Sequence, residues 1–126
     1  MVNAFFMKED NLIEEKSYAF ALRIVKLFWY IIETKREYKL SGQLLKSGTS
    51  IGANVEEAIG GSSRKDFKAK LEISYKEARE TRYWLRLLRD SDSLERRLAE
   101  SLLSDCEEIL RILGSIIRTI KNDPKG

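Results

Sequence analysis

The single proline of this chain is Pro124. Proline removes a backbone donor and clashes with the preceding helical turn, so it ends helices more firmly than any other residue. No position from 1 to 123 therefore forbids a helix. The residues that favour a helix (Leu, Ala, Glu, Lys, Arg and Ile) together dominate, and charged residues make up 34% of the chain. Most of these side chains lose little freedom in a helix. A chain of 126 residues fits one domain and buries a core without metal or disulfide support.

Apolar spacing predicts four helices, over residues 12–35, 41–59, 63–89 and 94–121, in one domain spanning 1–126. In the first, Phe20, Ile24, Leu27 and Ile31 recur in steps of three and four, beside a second row of Ala21, Val25, Phe28 and Ile32. Such steps place side chains on one side of a helix. Leu22, Trp29 and Tyr30 widen the apolar surface beyond one stripe. A helix this apolar needs burial on two sides. We therefore expect Leu22, Val25, Trp29 and Tyr30 to meet another copy of the chain. The residues before the first helix read as a loosely held arm, and the tail 122–126 as disordered.

The second helix carries Gly48 and Gly52. Each costs about 1 kcal/mol relative to Ala within a helix. Their spacing by four allows another backbone to approach closely. The expected partners are the small middle members of the third helix's row: Phe67, Leu71, Ser74, Ala78, Thr81, Leu85 and Leu88. A loop over 47–52 is the alternative reading. Gly60, Gly61, Ser62 and Ser63 supply a stop, and Ser63 with Asp66 forms a variant capping box. The run Asp90-Ser91-Asp92-Ser93 reads as a turn that caps the fourth helix. That helix has the row Leu98, Leu102, Cys106, Ile109, Leu113, Ile116 and Ile120. Short connections make neighbours antiparallel, so the expected fold is an all-α, up-and-down four-helix bundle.

The chain contains no histidine. This removes the commonest general base and metal ligand. One Cys without His cannot complete a Cys/His zinc site. The sequence has no phosphate-binding loop, since Gly48 and Gly52 lack the required strand and lysine. Glu56, Glu57, Glu77 and Glu80 could converge as in metal-holding bundles, but Glu77 is followed three residues later by Glu80 rather than His. The favoured reading is pairing of Glu57, Glu77 and Glu80 with Arg79, Asn54 or Arg23 inside or beside the bundle. Cys106 sits in an apolar row and reads as a buried, inert thiol. These features point away from an enzyme and require no cofactor.

Charge is uneven. The net value is +3, but residues 64–89 hold nine basic residues against four acidic ones. Lys65, Lys68, Arg79, Arg82, Arg86 and Arg89 lie in one row with Glu72 and Tyr75. Arginine's planar fork suits phosphate, and a clustered basic stripe is the electrostatic footprint of nucleic-acid binding. The alternative is a solvated helix face carrying ion pairs. The most apolar stretch, 19–32, contains Arg23 and Lys26 and falls short of the roughly 20 residues of a membrane span. No signal peptide is apparent. A single Cys suits a reducing cytoplasm, so the expectation is a cytoplasmic protein with no membrane partner.

Three segments carry a resemblance: SYAFALRIVKL at 17–27, QLLKSGTSIGANVEEA at 43–58 and YKEARETRYWL at 75–85. Together they resemble the bacterial four-helix-bundle proteins of 23S rRNA intervening sequences, also labelled the S23 ribosomal protein family. The match covers roughly residues 13–120. The resemblance implies a family without established enzymatic activity, whose ribosomal label reflects gene location. Relatives include the accessory variability determinant proteins of diversity-generating retroelements, which form pentameric barrels that bind nucleic acid and a reverse transcriptase. The expected partners are thus the chain itself, as a homo-oligomer with a pentameric ring implied, and RNA or DNA. A purely structural adaptor that binds another protein is the alternative.

Overall fold

A computed structural model describes residues 7–123, with side chains from residue 11. The four helices are α1 (Met7–Thr34), α2 (Lys39–Ile59), α3 (Arg64–Asp90) and α4 (Arg96–Lys121). Each packs on its neighbour in chain order, and α4 closes back on α1. The result is an all-α, up-and-down four-helix bundle. Among the described residues there is no strand, and 47–52 is continuous helix rather than a loop.

The expected rows line the core. Phe20, Ile24, Leu27 and Ile31 from α1 are buried. Every member of the α3 row is buried. In α4, Leu102, Cys106, Ile109, Leu113, Ile116 and Ile120 are buried, with Ala99 and Leu110 added; Leu98 is half-buried against them.

The helix ends differ from expectation in ways that trace to capping. Helix α1 begins at Met7 rather than near 12, so only 1–6 of the expected arm lie outside the described residues. Helix α2 begins at Lys39, because the Glu37 carboxylate accepts from the backbone amides of Lys39, Leu40 and Ser41. That one side chain satisfies three donors the helix start leaves open. Ser63 caps α3 by accepting from Asp66 N at 3.0 Å. The α3–α4 turn is a correction: Asp90 ends α3, and Glu95 caps α4 by accepting from the amides of Arg97 and Leu98. The serines and aspartates of the turn are used differently. Asp92 takes a left-handed backbone with φ 61°, and the amides of Ser93 and Leu94 both bond to Leu88 O. At the other end, Asp123 pairs with Arg64, so the expected disorder of the tail does not extend to Asn122 and Asp123. Residues 124–126 lie outside the described residues.

The two glycines of α2 face α1, which corrects the expected pairing with α3. A Cβ on Gly48 would lie 2.9 Å from Ile24, and one on Gly52 would lie 3.3 Å from Ser17 O. The small residues of α3 still meet α2 closely, but through other partners. Ser74 Oγ donates to Ile51 O at 2.9 Å, and Thr81 Oγ1 lies 3.0 Å from Ser47 Oγ. Helix α2 is therefore approached closely on both sides, by glycines toward α1 and by hydroxyls toward α3.

Candidate nucleic-acid interface

The basic row of α3 runs along the side of that helix which faces α4. Its six cations divide evenly. Lys68 pairs with Glu72 at 3.2 Å, Arg82 with Glu107 of α4 at 3.3 Å, and Arg89 with Asp90 at 2.8 Å. The hydrogen bond from Arg89 holds the Asp90 carboxyl below its ordinary pKa. Lys65, Arg79 and Arg86 are exposed and have no ion pair among the described residues.

Helix α4 adds charge to the same face. Glu107, Arg111, Gly114, Arg118 and Lys121 recur in steps of four and three, which places them on one side of a helix. The Arg82–Glu107 pair shows that this side meets α3. Arg111, Arg118 and Lys121 have no ion pair among the described residues. Between the two helices, toward the end of α4, lies an open groove of about 470 Å³ lined by Glu72, Tyr75, Lys76, Gly114, Ile117, Arg118 and Lys121.

The expected subunit-contact residues do not all fall together. Leu22, Val25 and Trp29 share the side of α1 next to α2 with Tyr18. Tyr18 is 72% exposed and Trp29 57%. A groove of about 220 Å³ runs beside Tyr18, lined also by Ala21, Thr49, Gly52 and Ala53 among others. Tyr30 lies on the opposite side of α1, in a groove with Arg23, Lys26, Leu27, Leu98 and Leu102 of the α1–α4 seam. A second apolar patch stands on α3, where Ile73, Tyr83 and Leu87 are exposed.

The four carboxylates Glu56, Glu57, Glu77 and Glu80 do not converge as a metal site among the described residues. Glu57 pairs with Lys70 at 2.9 Å. Glu80 accepts from Trp84 Nε1 at 3.0 Å. Partial burial, then the nearby Glu80 charge, raises the Glu77 pKa above its ordinary value. Glu56 is exposed. Among the described residues no group of three or more potential ligands converges. The expected internal network with Arg79, Asn54 and Arg23 is not formed either: Asn54 bonds to Ser50 O and Arg23 to Asp105. The reason is angular, since these residues sit on the outer flanks of α1, α2 and α3 while the inward positions are apolar or small. Cys106 is buried, donates to Ala78 O at 3.3 Å, and is pushed by burial up to about 12.

The model of the family described as "23S rRNA-intervening sequence protein" matches residues 9–115. This chain belongs to that family. Among solved structures, this intervening-sequence protein is similar to a protein of unknown function from the S23 ribosomal protein family of Bacteroides thetaiotaomicron VPI-5482. The two share 46% identity over 87% of this chain and 98% of the other, with a TM-score of 0.86. No curated protein matches the chain.

Among its described residues, no helix of this family member is long and apolar enough to cross a membrane. Arg111, Arg118 and Lys121 were missed as part of the basic face. Their signal was present as the same three-and-four spacing in the last helix. It becomes a surface only once α4 is laid beside α3.

Proposed function

We propose that this intervening-sequence protein is a non-enzymatic homo-oligomer of the cytoplasm that binds RNA or another nucleic acid through its α3–α4 face. The observation that carries this reading is the set of cations there without carboxylate partners among the described residues: Lys65, Arg79 and Arg86 on one helix, Arg111, Arg118 and Lys121 on the next. A two-helix basic face fits a phosphate backbone better than one helix does, because each phosphate neutralised releases condensed counterions. The apolar sides of α1 and α3 support self-association. They are different patches on different helices, which suits a head-to-tail contact that closes into a ring. Five subunits is the number the family resemblance implies.

An electrophoretic shift assay tests the nucleic-acid reading. Structured RNA or duplex DNA should be retarded at low salt and released as salt rises. Arg79→Glu with Arg86→Glu should abolish the shift. No retardation of wild type at low salt would sink the reading. The adaptor reading draws on the exposed Ile73, Tyr83 and Leu87. Under it, the same double reversal would leave capture of a protein partner intact.

A further inference from the structure

The groove between α3 and α4 has a composition that the rest of the basic face lacks. Its floor is Gly114 and the half-buried Ile117, its wall is the half-buried Tyr75, and Lys76, Arg118 and Lys121 stand around it. The acid in the lining, Glu72, is engaged by Lys68 at 3.2 Å. None of the three cations has an ion pair among the described residues. An aromatic wall over an apolar floor with cations at the edge is the arrangement that receives a base by stacking and its phosphate by charge.

Gly114 supplies a second, independent observation. Gly48 and Gly52 are required by packing, since an added Cβ would press on Ile24 or on the backbone of Ser17. Gly114 is not. Its Cβ would meet the Tyr75 ring at 3.6 Å, an ordinary contact, and the mobile end of Arg118 at 3.3 Å. The helix thus keeps an unfavourable residue where packing does not ask for one. What the missing side chain does is leave space beside the Tyr75 ring.

We propose that this groove is a subsite for one unpaired nucleotide of a single-stranded segment. The base lies against Tyr75 above Gly114 and Ile117, and Arg118 and Lys121 hold the adjoining phosphate. The volume of about 470 Å³ falls within the range of small-molecule sites. This inference rests on the nucleic-acid reading above and narrows it. The exposed cations elsewhere on the face contact backbone of any kind, whereas the groove distinguishes a strand with accessible bases from one without.

The test compares two probes of equal length and charge, a single-stranded oligouridylate and its abasic counterpart. Wild type should bind the oligouridylate about fivefold more tightly or better, the range that one stacked base supplies. Tyr75→Ala should erase that preference. Gly114→Leu, which fills the floor and favours helix, should erase it too without removing an aromatic. Affinity for the abasic probe reports whether the fold and basic face are intact. Equal binding of both probes by wild type, or a preference that survives both substitutions, overturns the subsite and leaves the basic-face reading standing. Binding of neither probe at low salt overturns both.

Discussion

Gly48 lies so close to Ile24 that a Cβ added to it would stand 2.9 Å from both branches of the isoleucine side chain. Both atoms sit near the backbone of a β-branched residue, which is stiff at χ1, so the contact has little room to relax. Two effects oppose each other in Gly48→Ala. Helix propensity favours Ala by about 1 kcal/mol, and overpacking of a full core costs roughly 1–3 kcal/mol. We expect overpacking to win, with a net loss of up to about 2 kcal/mol. Gly42→Ala is the control, since nothing lies within 4 Å of its added Cβ; it should stabilise by up to about 1 kcal/mol. Urea denaturation of both variants settles the sign.

The Glu95 carboxylate receives the amides of Arg97 and Leu98 at the start of α4. Losing a side-chain cap costs about 0.5–2 kcal/mol. Glu95→Ala should therefore lower the urea midpoint, whereas Ser93→Ala, which loses only an exposed hydroxyl contact with Ser91 Oγ at 3.0 Å, should change it far less. Equal effects would assign the cap to the wrong residue.

That cap illustrates where sequence reading succeeds and where it stops. The α3 row from Phe67 to Leu88 was legible residue by residue, because a helix buries whatever recurs every three or four positions, and each member is buried. Spacing gives the angle of a residue about its own helix. It does not say which of two neighbours lies at that angle, so spacing pairs Gly48 and Gly52 with the small residues of α3 although they face α1. The Glu95 cap was hidden for a related reason. Ser and Asp are the favoured capping residues, but here the turn uses Asp92 for its left-handed step and aims the amides of Ser93 and Leu94 at Leu88. The groove beside Tyr75 needs two helices at once, and no single stretch of sequence contains it.

Burial pushes the Cys106 thiol up from 9.0 to about 12. In the unfolded chain the thiol ionises near its ordinary value, while the folded state keeps its proton. The folded state therefore binds more protons between these limits, and stability falls as pH rises. The contribution is complete below pH 9 and declines between pH 9 and about 12, by up to about 1.4 kcal/mol per pH unit. Denaturation across this window should show a downward slope that Cys106→Ala reduces, the remainder including Lys70, whose pKa Glu57 raises. At neutral pH a thiol reagent should label the folded protein only as fast as the bundle opens.

The α1 face carries the last prediction. Leu22 and Trp29 are 45% and 57% exposed, on the same side of α1 as Tyr18 and Val25, and α2 presents Thr49, Gly52 and Ala53 beside Tyr18 and Ala21. Large apolar side chains beside small ones make a surface that another helix can approach closely. If copies of the chain associate there, a charge placed in the middle must be desolvated at each contact, which is far more costly than burying a polar surface group. Leu22→Glu should convert the assembly to monomer at micromolar concentration while leaving helical content intact, read by light scattering and circular dichroism. Tyr30→Glu, on the opposite side of α1 by the α4 seam, should leave the assembly in place. A stable wild-type monomer would remove the oligomer from the proposal, and monomerisation by Tyr30→Glu alone would move the contact to the α1–α4 side.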